Sequence, residues 1–283
     1  MKVAVLMTCY NRAETTLRCL KSLFAQSLAQ SPNLPTSNQT IFEVWLVDDA
    51  SPDGTGEKVK AAFPQVNVIR GTGKLFWCRG TRLAWDTAVA AKDYDGYLWL
   101  NDDVELYPDA IATLLSDRAQ VGDEAILIGA LHAERSVSGD FSAAVCYGVG
   151  YARPTGRPER SKGAMNGNFV YVPQDVFRKI GPLYGGYGHG YADHDYGWMA
   201  DRAGIVRYCL SKAVGFCPYR RDLRTDQNLK TLSPWRRFRA LFGKKGFSLR
   251  DNFIYKRRNF GWCNALMSSV HVIWIRVVCA REN

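Results

Sequence analysis

Three short, largely apolar runs in the N-terminal part of the chain each end in polar or acidic residues, and this pattern constrains the fold more than any other feature. Residues 2–7 (KVAVLM) run into Thr8-Cys9-Tyr10-Asn11-Arg12, and residues 42–47 (FEVWLV) into Asp48-Asp49. Residues 97–100 (YLWL) run into Asn101-Asp102-Asp103, with Glu105 two positions on. Runs this short and apolar read as strands buried on both faces. Residues 14–26 carry Leu17, Leu20, Leu23 and Phe24 at helical spacing, 79–92 read as a second helix, and 57–63 and 66–69 as a short helix and a further strand. This alternation predicts an α/β, Rossmann-like, mainly parallel central sheet flanked by helices. In such sheets ligands gather at the carboxyl ends of the strands, so the three polar ends are expected to share one crevice.

Beyond Pro108 the pattern loosens. Residues 125–130, 141–148 and 168–172 read as strands, 153–162 as a basic loop and 173–180 as a short helix. Residues 181–204 (GPLYGGYGHGYADHDYGWMADRAG) form a Gly/Tyr-rich stretch leading into a helix. Its tyrosines are candidates for stacking on a ligand's rings from a mobile loop, with an ordinary Gly-rich surface turn as the alternative. Residues 27–40, rich in Ser, Pro, Asn and Gln, read as a surface loop. The expected organisation is a main domain over 1–217, with halves 1–107 and 108–217, and a helical extension over 218–283.

The net charge of +10 is concentrated in that extension. From Lys230 onward there are 12 Lys and Arg against 2 Asp and Glu, which leaves 25 of each sign in residues 1–229. A neutral body argues against a general nucleic-acid binder, whose basic charge covers the folded surface. The 8 cysteines are scattered, without CxxC or Cys/His spacing for zinc, and suit reduced thiols in the cytoplasm. The first apolar run is too short for a signal peptide.

Adjacent carboxylates repel unless a cation or hydrogen-bond donors lie between them. A hard divalent ion carried on a diphosphate meets that need, because Mg²⁺ or Mn²⁺ takes one or two protein carboxylates and completes its shell with phosphate oxygens and water. Other phosphate cradles are absent: there is no GxxxxGK[ST], and no GxGxxG follows the first strand. A carboxylate at a strand end also serves as a helix N-cap or a solvated turn residue, so each acid has a structural role as its alternative.

Six segments in order then carry a resemblance: VLMTCYNR (5–12), WLVDDASPDGT (45–55), GKLFWCRGTRLAW (73–85), YLWLNDDVEL (97–106), NGNFVYVPQDVFRKIGPL (166–183) and YADHDYGWMADRAG (191–204). Together they resemble the family 2 glycosyltransferases of GT-A fold, especially the rhamnosyltransferase-like members of bacterial polysaccharide synthesis. The resemblance implies that Thr8, Tyr10 and Arg12 line the nucleotide pocket and that Asp49, with Asp48, binds the base. Lys74 and the stretch holding Trp77, Arg79, Gly80 and Arg82 would lie over the ribose and diphosphate. Asp103 would be the metal ligand, with Asp102 nearer the ribose.

Relatives carry Glu-Asp-x-Asp at a helix start, and its second acid is the general base. Here the segment is Ala192-Asp193-His194-Asp195, so Asp193 aligns with the base. Asp195 is its rival, with helix capping or pairing with Arg202 as the structural alternative. Many relatives place a metal-binding histidine after the next strand, where this chain has Phe216 and Cys217. His189, His194 or the arginines Arg220, Arg221 and Arg224 are the candidates to compensate.

In the extension, residues 234–247 (PWRRFRALFGKKGF) interleave aromatics with Arg and Lys, as an amphipathic helix on an anionic membrane does. Residues 260–275 form a 16-residue run without Asp, Glu, Lys or Arg, shorter than the ~20 residues of a spanning helix. They read as a packed helix or an interfacial anchor. Tyr255-Lys256-Arg257-Arg258-Asn259 resembles a tail motif of the same relatives.

The expectation is an inverting, metal-assisted enzyme at the cytoplasmic membrane face. It would move a sugar from a UDP- or dTDP-sugar to a glycan or lipid-linked oligosaccharide of O-antigen, capsule or lipopolysaccharide type. A nucleotidyltransferase and a non-catalytic membrane or polyanion binder are the competing classes.

Overall fold

The computed structural model describes residues 1–26, 40–132, 146–147, 153–163, 165–217, 232–242 and 248–279. All but the last residue of the loop expected over 27–40 and most of the strand expected over 141–148 lie outside these residues, as do Arg220, Arg221 and Arg224. The chain begins β1 (Lys2–Cys9), α1 (Ala13–Phe24), β2 (Ile41–Asp48), α2 (Thr55–Ala62), β3 (Asn67–Arg70), α3 (Phe76–Ala91) and β4 (Gly96–Leu100). It continues with β5 (Glu105–Leu106), α4 (Ala110–Val121), β6 (Ile126–His132), β7 (Cys146–Tyr147), β8 (Glu159–Ser161), β9 (Phe169–Pro173), α5 (Gln174–Ile180), α6 (Ala192–Arg202) and β10 (Arg207–Phe216).

The strands form one sheet in the order β3-β2-β1-β4-β9-β6-β10-β5, with β7 and β8 paired to β6 and β10. The four N-terminal strands are parallel, and so are β6 and β10. β9 lies antiparallel between β4 and β6, so the sheet is mixed in its second half. The basic loop expected over 153–162 closes as β8, antiparallel to β10. The chain crosses from β2 and β3 on one side of β1 to β4 on the other, which opens a crevice at the carboxyl ends of β1 and β4.

Every residue of β4 and β9 is buried, which explains their unbroken apolar sequence. Under the crevice lies an aromatic cluster. Trp85 of α3 packs against Trp99 of β4 (ring centroids 5.6 Å), Phe177 of α5 (5.5 Å) and Tyr196 of α6 (5.9 Å), and Trp99 meets Tyr196 at 5.0 Å. Such pairs add about 0.5–1.5 kcal/mol each beyond their burial, and these fix α6 relative to the end of β4.

The extension is helical, with α7 (Pro234–Ala240), α8 (Leu249–Ile273) and a π-helical turn over Trp274–Val278. Ser233 and Ser248 cap the two helices, accepting from the amides of Arg236 and Asp251. The final helix begins at Leu249, well before the apolar run at 260, and Gly261 (φ 86, ψ 174) breaks it into two arms.

α3 packs directly on β1 at Gly80, where a Cβ would collide with Thr8 Oγ1 and stand 2.8 Å from Thr8 Cβ. Thr8 is short and branched at Cβ, so it cannot swing aside. Gly80→Ala is expected to destabilise the fold by about 1–3 kcal/mol, read as a lowered midpoint in thermal or denaturant unfolding.

Candidate active site

The end of β4 presents Asp102 and Asp103 side by side, and the loop after β1 supplies their counter-charge. Arg12 Nη1 donates to Asp102 Oδ1 at 3.1 Å and to Asp103 Oδ2 at 2.9 Å. Asp102 is buried and also accepts from Thr16 Oγ1 at 3.5 Å. Burial pushes its carboxyl up to about 7; Arg12 pulls it down and Asp103 raises it further. Cys217, just beyond β10, brings its thiol to within 3.5 Å of Asp103 Oδ1.

The acids after β2 work differently. Asp49 Oδ1 accepts from the amide of Gly73 at 2.7 Å, and its Oδ2 from those of Leu75 and Phe76 at 2.9 and 3.1 Å. Asp48 accepts from the amides of Ser51 and Gly56 at 3.0 and 3.2 Å. Asp53, which the sequence reading passed over, accepts from the amides of Thr55 and Ala13 at 3.1 and 3.0 Å. Both oxygens of Asp49 are thus engaged in shaping the turn that launches α3, where Phe76 has a positive φ of 56°.

That turn sets Trp77 in the crevice. Its Nε1 donates to Asn101 Oδ1 at 2.6 Å, and Asn101 Nδ2 in turn donates to Asn168 Oδ1. Trp77 lies against Gly167, whose amide donates to Asp193 Oδ2 at 3.0 Å; Asp193 Oδ1 accepts from the amide of His194 at 2.9 Å. A chain of contacts therefore joins the strand end at Asn101, the 166–168 turn and the first turn of α6. Tyr10 is exposed and Thr8 half-buried beside Gly80. Lys74 is exposed and Arg79 half-buried, and neither makes an ion pair among the described residues. Arg82 is held on both sides: its Nε donates to Asp86 Oδ1 at 2.8 Å and its Nη1 to Leu183 O at 2.7 Å.

Asp195 separates sharply from Asp193. It is fully buried and accepts from Arg258 Nε at 3.1 Å and from Asn259 Nδ2 at 2.7 Å, both on α8. Arg202, the pairing partner expected from sequence, instead donates to Asn259 Oδ1 at 2.7 Å. The same helix holds the Gly/Tyr loop. Asp251 accepts from the amides of Gly188 and His189 at 2.9 and 3.3 Å, and Arg250 donates to Gly186 O at 3.0 Å. The tyrosines expected to stack on a ligand's rings are already engaged. Tyr187 is buried, Tyr191 stacks on Tyr255 at 4.8 Å, and the Arg258 guanidinium lies 3.7 Å over Tyr184.

Among the described residues no group of three or more His, Cys, Asp or Glu is placed to hold a metal ion. His189 meets Phe76 edge-on and His194 meets Tyr191 edge-on. The donor set is a carboxylate pair, which suits a hard cation whose remaining positions are filled by a diphosphate and water.

The sequence profile of glycosyl transferase family 2 matches residues 4–171, more than half of the chain. The chain belongs to that family. No curated protein matches it in sequence. Among solved structures it is similar to S. aureus TarS 1–349 in complex with UDP-GlcNAc, at 14% identity over 99% of this chain and 84% of that one, with a TM-score of 0.56. It is also similar to the mannosyltransferase PcManGT from Pyrobaculum calidifontis in complex with GDP-Man and Mn²⁺, at 15% identity over 99% and 76% of the two chains and a TM-score of 0.51. At these identities the likeness establishes the shared fold.

Removing one partner of a buried ion pair leaves the other charge without compensation, at a cost of about 3–5 kcal/mol. Arg258→Ala is expected to destabilise by that order in denaturant unfolding. Adding Asp195→Ala should recover part of the loss, a coupling that a double-mutant cycle measures.

Proposed function

We propose that the chain is an inverting glycosyltransferase that uses a nucleoside diphosphate sugar, with the donor diphosphate at Asp102–Asp103 and Asp193 as general base. The observation that carries this reading is the contrast between the two acids of α6. Asp195 is sealed inside the protein by Arg258 and Asn259, whereas Asp193 is half-buried in the crevice, tied to Gly167 beside Trp77.

Thr8, Tyr10 and Arg12 face the nucleotide, and Asp49 shapes the turn that covers it. The guanidinium of Arg12 already balances the carboxylate pair and is available to the incoming phosphate charge. Asp103, with Asp102 beside it, would hold Mg²⁺ or Mn²⁺, which neutralises the departing diphosphate when bound. Asp193 takes the proton of the acceptor hydroxyl as the hydroxyl oxygen bonds to the anomeric carbon and the bond to the diphosphate breaks. One base in the crevice, with the neighbouring carboxylate locked away, supports a single displacement with inversion.

The nucleotide sugars bound to the two similar proteins support this class of donor. The resemblance of the ordered motifs to the rhamnosyltransferase-like branch supports a UDP- or dTDP-sugar as donor and a glycan or lipid-linked oligosaccharide of the bacterial surface as acceptor. They also support the division into a catalytic unit over 1–217 and an extension over 218–283.

The test separates binding from chemistry. Asp103→Ala is expected to abolish the metal-dependent rise in melting temperature that UDP or dTDP produces. Asp193→Asn should keep that rise and lower turnover by about 10²–10⁴-fold. Unchanged turnover in Asp193→Asn would remove Asp193 as the base.

A further inference from the structure

The last helix carries a row of apolar side chains that nothing in the described fold covers. Beyond the break at Gly261, Trp262, Leu266, Val270, Trp274 and Val278 are each between 56% and 68% exposed. They recur every four residues and so occupy successive turns of one side. The other side is packed, with Ala265 and Val272 buried and Ser268 donating to Asn252 Oδ1 at 3.0 Å. The row runs about 24 Å at the helical rise. Single exposed apolar residues are ordinary, but a continuous row marks a contact surface. α7 docks at its far end, where Arg237 Nη1 donates to Val277 O at 3.0 Å, and adds Trp235, itself 65% exposed.

Charge identifies the occupant. The row lies in the segment with 12 basic and 2 acidic residues. The Arg257 guanidinium sits 5.0 Å from the Trp262 ring centroid, and Arg236 and Arg239 of α7 are exposed. A second copy of the chain would bring the same positive charge face to face, whereas an anionic lipid surface attracts it. Tryptophans stand near both ends of the row and on α7, and this side chain favours the headgroup level of a bilayer. No described helix is long and apolar enough to cross a membrane, so the element is suited to lying on one.

We propose that residues 262–278, with α7, form an interfacial arm that docks this enzyme on an anionic bilayer. The apolar row enters the acyl boundary and the arginines lie among the headgroups. Gly261 separates this arm from the first half of α8, which is bonded to α6 through Asp195. The surface that meets the lipid and the helix that carries Asp193 are thus linked through one element.

The experiment is sedimentation of the full-length protein with vesicles of phosphatidylglycerol and phosphatidylethanolamine, compared with phosphatidylcholine alone. Binding is expected on the anionic vesicles, weakened by salt. Replacing Trp262, Leu266, Val270 and Trp274 together with Ser should reduce it more than about tenfold, while nucleotide-induced thermal stabilisation persists. Trp262→Phe and Trp274→Phe, which keep the fold, should each reduce the quenching of fluorescence by brominated lipids. Absence of binding to anionic vesicles, or equal binding by the Ser variant, overturns the proposal. So does a dimer in solution that the Ser variant abolishes.

Discussion

Two adjacent carboxylates at the end of a buried strand are the constraint around which the crevice is arranged. Asp102 and Asp103 follow β4, every residue of which is buried. Bringing both charges there is costly unless a cation or a proton compensates. Arg12 answers by bridging both, and it is presented by the turn after β1, the strand paired to β4. The parallel pairing of β1 with β4 therefore does more than form the sheet. It brings a cation to an acid pair ninety residues away in sequence. Burial raises the Asp102 carboxyl, while Arg12 lowers it and Asp103 raises it further.

Around this pair the fold repeatedly uses carboxylates as anchors for loops. Asp49 binds the 73–76 turn, Asp53 ties the β2–α2 loop to the start of α1, and Asp251 holds Gly188 and His189. Each accepts backbone amides, and such charge-assisted bonds are stronger than neutral ones. The loops that form the crevice walls are thereby positioned by buried or half-buried acids as well as by apolar packing, in which Leu75, Leu183 and Tyr187 take part. The extension takes part in this, because Asp251, Arg258 and Asn259 all belong to α8. The C-terminal helix in this sense braces α6 and the Gly/Tyr loop beside the crevice.

The parallel half of the sheet was legible because its strands are short, apolar and terminated by polar residues. The placement of β9 was not, since its run FVYVP looks the same whether it pairs parallel or antiparallel. Among the acids, spacing distinguished none of the individual roles. The resemblance implies that Asp49, with Asp48, binds the base; that their oxygens also accept backbone amides depends on turn geometry, which spacing does not show. Asp193 and Asp195 stand two residues apart on one helix, and only the arrival of Arg258 from the extension separates them. Asn101, Asn168 and Cys217 join the site through tertiary contacts; the one hint was their position directly before or after apolar strands. Helix α8 was half missed because residues 249–259 are rich in charge, and their packing against α6 is polar.

The most direct measurement is a structure of the protein with a nucleoside diphosphate and Mn²⁺ bound. The account predicts the diphosphate at the carboxyl end of β4, in contact with the metal on Asp103, and the Arg12 guanidinium redirected from Asp103 toward phosphate. A nucleotide bound elsewhere, with the Arg12–Asp103 pair intact, would contradict it.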